Sequence, residues 1–328
     1  MIRSALRGSP KAGYRVVKVI SVINYKGGVG KTTITANLGA ELAARGQRVL
    51  LMDIDPQISL TLSFYRPAEW QHGLRENRTI LRWFDAVAGN RKSRLGDLIA
   101  TPPRVDEAIG QRGRLDLIPG HFRLLHEDIR QRGRVGGARG IDDTRRRMVS
   151  LSRQLAVALR EPAFEDYDVV LIDCPPNFGI ATRMALIASD CTVTPTRPDY
   201  LSTIGLRYFF ESYDRVISEH NREILSLGES DHDPQLHPVF LGVVFTMVRF
   251  LSGQPVRQHH MVIQQARAEE LPVFDTVLRY NAALYDEAGE GGIPVALGSG
   301  GNPEVLANIQ DLTTEFHKRL TNDEGVRL

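Results

Sequence analysis

Two hydrophobic periods alternate along this chain. Continuous, β-branched apolar runs suited to strands buried on both faces recur as VVKVISVIN at 16–24, in QRVLLMDIDP at 47–56, as LDLIP at 115–119, DVVLIDCPP at 168–176, CTVTPT at 191–196, VFLGVVFTMV at 239–248 and VFDTVL at 273–278. Between them lie stretches of helical period. In the first, Ile34, Leu38 and Leu42 fall on one stripe and Gly46 stands as the stop; in the last, from Pro303 to Leu320, Leu306, Ile309, Leu312, Phe316 and Leu320 share a face. Strand, loop, helix and strand in succession predict right-handed crossovers, hence an α/β fold with a mostly parallel twisted sheet flanked by helices on both faces. Residues 16–328 read as a single domain preceded by a flexible tail at 1–15, with one long arginine- and glycine-rich loop near 130–147.

Composition changes this picture little. Apolar residues are 42% and charged residues 24% of 328, and no apolar run approaches the roughly 20 residues that cross a bilayer. The first residues lack the apolar core of a secretory signal, so a cytoplasmic protein is expected. Cys174 and Cys191 sit in apolar strands and form no Cys-x-x-Cys pair, which marks them as small buried hydrophobes. The net charge of +2 is uninformative, but arginine is concentrated in RQRGRVGGARGIDDTRRRMVSLSR at 130–153 against Asp142 and Asp143 alone.

The candidate chemistry lies in INYKGGVGKTT at 23–33, between the first strand and the first helix. Such a turn aims successive backbone N–H groups at one point, and its glycines permit close approach of a phosphate. Lys26, Gly27, Gly28, Val29, Gly30, Lys31, Thr32 and Thr33 form this candidate nucleotide loop of a P-loop NTPase fold, with Lys31 as the cation for the β and γ phosphates and Thr32 offering its hydroxyl to Mg²⁺. The general pattern would place a first glycine at Tyr25, so the loop instead satisfies the deviant form in which a lysine precedes the glycine pair. Asp53, Asp55 and Asp173 close two further strands, on the side where parallel sheets present ligands, and can reach a metal or an attacking water.

With NYKGGVGKTT, VLLMDIDPQ, LDLIP, YDVVLIDCPPNFG, TPTRPDYLSTIGL and FDTVLRYNAALYDEA in place, residues 16 to about 297 resemble ParA-type partition ATPases of the MinD/ParA class. The resemblance implies that Lys26 crosses a dimer interface to the partner's ATP, so that ATP holds a homodimer together and ADP does not. It also implies that Asp55 holds the attacking water and that Asp53 and Asp173 bind Mg²⁺ through its water shell. Asn281 and Met247 correspond to an adenine contact and the wall of the base pocket, although Arg279 and Tyr280 replace the more usual proline and arginine. No strong general base is identifiable, which implies slow hydrolysis that a ParB-like or cargo-adaptor partner stimulates.

Partition relatives bind DNA non-specifically through basic residues. Ala283 stands where chromosomal relatives often carry arginine, leaving Arg207, Arg249, Arg257, Arg267 and the arginines of 130–147 as substitutes, in a nucleoid-associated protein. The ending RLTNDEGVRL is poor in apolar residues and argues against a membrane-targeting helix. Two alternatives are a MinD-like spatial regulator and an iron–sulfur carrier of the same class, the latter needing exposed paired cysteines.

Overall fold

The computed structural model describes residues 17–126, 140–226, 236–298, 302–322 and 326–327. The expected tail at 1–15 and the part of the arginine-rich segment from 130 to 139 lie outside them. In chain order the elements are β1 Lys18–Val22, α1 Lys31–Ala44, β2 Arg48–Asp53, α2 Ile80–Ala88, α3 Pro103–Ile109 and β3 Arg114–Ile118. There follow α4 Ile141–Ser152, α5 Gln154–Ala158, β4 Val169–Asp173, α6 Ile180–Ala188, β5 Cys191–Thr196, α7 Tyr200–Ser226 and β6 Val239–Phe245. The last are α8 Arg257–Ala268, α9 Ala282–Gly291, α10 Pro303–Thr321 and β7 Val326–Arg327.

The sheet runs β3-β2-β4-β1-β5-β6-β7, its first six strands parallel and β7 antiparallel at the edge of β6. Every residue of β4 and β6 is buried, as continuous β-branched runs require when both faces are covered. Two apolar layers result. One face packs beneath α2, α4 to α8, and the other beneath α1, α3, α9 and α10. β1 lies between β4 and β5, and the chain leaves it toward β2 on one side while β5 and β6 extend the other. The strand order reverses there, which opens a crevice at the carboxyl ends of β1 and β4.

α1 buries the expected stripe of Ile34, Leu38 and Leu42 and more, 11 of its residues in all, because α10, α3 and the turn at 295–297 cover what would be its outer side. Gly39 lets it approach the sheet, since a Cβ there would stand 2.6 Å from Leu51 Cδ2. Three other sequence expectations change. VFDTVL forms no strand among the described residues; it meets β6 through an isolated bridge at Val273 and the amides of Phe274 and Leu278, with a second bridge just beyond it at Arg279. Residues 141–147 are helical, being the start of α4, so the expected loop to 147 is shorter; its acidic pair opens a helix whose Val149 and Leu151 pack inward. On α10, Val305 is buried in place of the half-buried Leu306.

Candidate functional site

The loop after β1 is held from both sides. Asn24 donates from Nδ2 to the Pro195 carbonyl at 2.6 Å and accepts from the Lys26 amide at 2.9 Å. On the far side the Thr246 hydroxyl, at the end of β6, lies 2.8 Å from the Val29 carbonyl and 3.1 Å from that of Thr196. Gly28 and Gly30 take φ of 67° and 84°, the left-handed region that side chains disfavour, and Val29 between them is fully buried.

Lys31 is 6% exposed and makes no ion pair among the described residues; its Nζ donates to the Lys26 carbonyl at 3.1 Å. Burial lowers its pKa, against the attraction of Asp173 and Asp55. A buried ammonium served only by a carbonyl fits an anionic ligand. Thr32 donates its hydroxyl to Asp173 Oδ2 at 2.7 Å, while Thr33 is half-buried and its carbonyl accepts from Asn37 at 2.9 Å.

The strand register places Asp53 directly opposite Asp173, both fully buried. Burial raises both carboxyls, and the second carboxylate adds to the effect at Asp173; Asp53 is pushed up to about 7. Asp53 Oδ2 accepts from the Thr61 amide at 2.8 Å and its hydroxyl at 2.6 Å, while Oδ1 accepts from the Asp55 amide at 3.2 Å. Thr61 Oγ1 in turn accepts from the Gly120 amide at 2.8 Å. Asp53 is therefore the clasp of the strap 54–61, which also holds buried Ile58 at a left-handed φ of 51°. Asp55 is 8% exposed, accepts from the Gln57 amide at 2.9 Å, and has its pKa raised by burial. A threonine hydroxyl beside two buried carboxylates is an all-oxygen donor set suited to a hard cation such as Mg²⁺.

Lys26 is aimed away from its own loop. Its Nζ donates to Ser202 Oγ at 2.9 Å and Asp199 Oδ1 at 3.4 Å, at the start of α7. Around it Tyr25, Tyr200, Leu201, Ile204 and Tyr208 are exposed, from 41% to 71%.

Residues 17–226 match the family described as an AAA domain. An uncharacterized protein of Mycobacterium tuberculosis is 32% identical over 63% of this chain, a match that spans 55% of the relative's length. The sporulation initiation inhibitor protein Soj of Bacillus subtilis is 30% identical over 85% of this chain and 90% of its own. The chain belongs to the ParA/MinD-type partition ATPases. Among solved structures, apo McdA of Cyanothece superposes with a TM-score of 0.64 at 19% identity, covering 92% of this chain and all of the other; a variant of it is also solved with ATP.

The two base-pocket candidates stand apart from the phosphate loop in kind. Met247 is half-buried at a φ of 54°, and Asn281 accepts from the Leu284 amide at 3.2 Å, as the N-cap of α9. Among the arginines singled out, Arg207, Arg249 and Arg257 are exposed, and Arg267 is paired with Asp275 at 3.3 Å. Asn24, Thr61, Asp199, Ser202 and Thr246 serve the site without having been singled out as functional. The signal for Asp199 and Ser202 was present, because Asp-x-x-Ser before an apolar helix is a capping pattern; Thr61 and Thr246 carried none.

Proposed function

We propose that this chain is an ATPase that dimerises on ATP and positions a plasmid, chromosome or protein cargo. One observation carries the reading. Of the two loop lysines, Lys31 alone turns into its own phosphate site, while Lys26 projects among exposed tyrosines, Leu201 and Ile204 on the rim. A cation so placed can meet the triphosphate of a second copy, and an apolar rim around it gives that copy a surface to bury.

In the reaction Lys31 and the loop amides would bind and orient the triphosphate, and Thr32, Asp53 and Asp173 would hold Mg²⁺. When bound, Mg²⁺ neutralises charge on the transferred phosphoryl and the leaving diphosphate. Asp55, on the strap clasped by Asp53, orients the attacking water. Because its carboxyl is hydrogen-bonded to the strap's own amide, a partner that reorders the strap would set the rate. That partner is a ParB-like or cargo-adaptor protein. Non-specific DNA contact falls to Arg207, Arg249 and Arg257, and would weaken steeply with salt.

One observation weighs against the iron–sulfur alternative. Cys174 and Cys191 are 0% and 1% exposed, which leaves neither able to share a cluster with another subunit. Multi-angle light scattering with ATP, ADP and no nucleotide tests the reading. A dimer in ATP alone is expected; the same mass in all three would refute it. DNA retention in ATP at two salt concentrations tests the nucleic-acid part separately.

A further inference from the structure

Away from the nucleotide site, a groove of about 1280 Å³ runs between α2, the segment 90–98 and the helix pair α4–α5. Six cations line it, namely Arg82, Arg91, Lys92, Arg94, Arg146 and Arg147, all exposed. Two acids oppose them, Asp97 and Glu161, and Glu161 is already engaged, accepting from the amides of Leu95 and Gly96 at 3.1 Å each. Arg147 pairs with Asp143 at 2.9 Å, whereas Lys92, Arg94 and Arg146 have no ion-pair partner among the described residues. Between the cations the half-buried Val87 and the 53% exposed Val157 present apolar surface beside the polar Asn90, Ser93, Ser150 and Gln154, Leu98 and Leu151 being buried.

We propose that this groove binds an acidic, amphipathic peptide segment of a partner protein. The charge on the rim selects acidic residues, and the accessible apolar surface of Val87 and Val157 needs an apolar side chain to cover it. A helix is about 10–12 Å across, and the groove has room for about two turns of one. Nucleic acid fits less well. A duplex presents a convex charged surface that would meet the arginines yet leave Val87 and Val157 in water. A single strand needs aromatic platforms for its bases, and the groove's one aromatic residue, Trp83, is 3% exposed and packed edge-on against Phe84. The arginine-rich sequence at 130–139 has the wrong sign to be the occupant. The inference is independent of the dimerising-ATPase reading, since it concerns a surface remote from Lys26 and Lys31.

Fluorescence anisotropy on the full chain tests it with three labelled probes. These are a helical peptide with leucine along one face and glutamate elsewhere, the same peptide with lysine for glutamate, and a short DNA duplex. Saturable, salt-sensitive binding of the acidic peptide is expected, with none by the basic one. The double variant Arg94→Glu/Arg146→Glu and the single variant Val157→Asp should each weaken it by about tenfold or more. All three positions are solvent-facing, and circular dichroism with ATP binding verifies that each variant is folded. Absence of saturable binding by the acidic peptide, or equal affinity for wild type and double variant, overturns the proposal. Duplex DNA that binds more tightly and loses affinity in the same variants overturns it too, assigning the groove to nucleic acid.

Discussion

Replacing Thr61 by valine removes one oxygen and almost no volume, so it isolates the clasp on the strap. The hydroxyl donates to Asp53 Oδ2 at 2.6 Å and accepts from the Gly120 amide at 2.8 Å, and Thr61 and Asp53 are 0% exposed. Losing a hydrogen bond to a carboxylate costs about 1.5–3 kcal/mol, and a buried amide left without an acceptor costs about 1–3 kcal/mol more. The added methyl returns about 0.8 kcal/mol of burial. A net destabilisation of about 3 kcal/mol is expected for Thr61→Val, against about 1 kcal/mol for Thr61→Ser, which keeps the hydroxyl and loses a methyl. Urea unfolding followed by circular dichroism measures both. Because the strap carries Asp55, Thr61→Val should also slow phosphate release more than it weakens ATP binding. If the two variants unfold at the same midpoint, the clasp is not what holds the strap and the role given to Asp53 fails.

Three further outcomes follow from the same geometry. Lys26→Ala should leave ATP binding by the monomer within about twofold while abolishing the ATP-dependent dimer in light scattering. Asp199→Asn should do the reverse: it removes the carboxylate that holds Lys26 in its own subunit, and several-fold less ATP should then drive half-dimerisation. An unchanged ATP midpoint would show that the 3.4 Å contact does not restrain the lysine. The third concerns acidity. Asp53 is pushed up to about 7 from 3.8, so between those values the folded chain keeps a proton that the unfolded chain has lost. Its contribution to stability is complete below about pH 4, declines as pH rises and is gone above about pH 7, a swing of about 4 kcal/mol. Measured without nucleotide, the stability of wild type relative to Asp53→Asn should fall across that window. A constant difference would contradict the burial assigned to this carboxyl.

The phosphate loop was legible because its chemistry is local. Gly28, Gly30, Lys31 and Thr32 act through backbone conformation and spacing within one strand–turn–helix unit, and such units are written in consecutive residues. Most strands were legible for a similar reason, since burial on both faces forces an uninterrupted apolar run. VFDTVL has the same composition but meets β6 only near its two ends, at Val273 to Phe274 and at Leu278, and strand pairing is a property of two segments. The stripe read on α1, Ile34, Leu38 and Leu42, is buried, and what its pattern could not show is that neighbouring elements bury the rest of its surface too. Tertiary structure alone decided which distant residues meet. The opposition of Asp53 and Asp173 comes from strand register, the clasp of Asp53 by Thr61 from the path of the strap, and the resting place of Lys26 on Ser202 from the fold bringing the start of α7 to the phosphate loop. The basic groove is likewise absent from any single stretch, because α2 and α4 are some sixty residues apart and only folding sets their cations on one rim. Backbone propensity and apolar period act over a few residues, whereas hydrogen bonds and charge act through space and are set only once the chain has closed on itself.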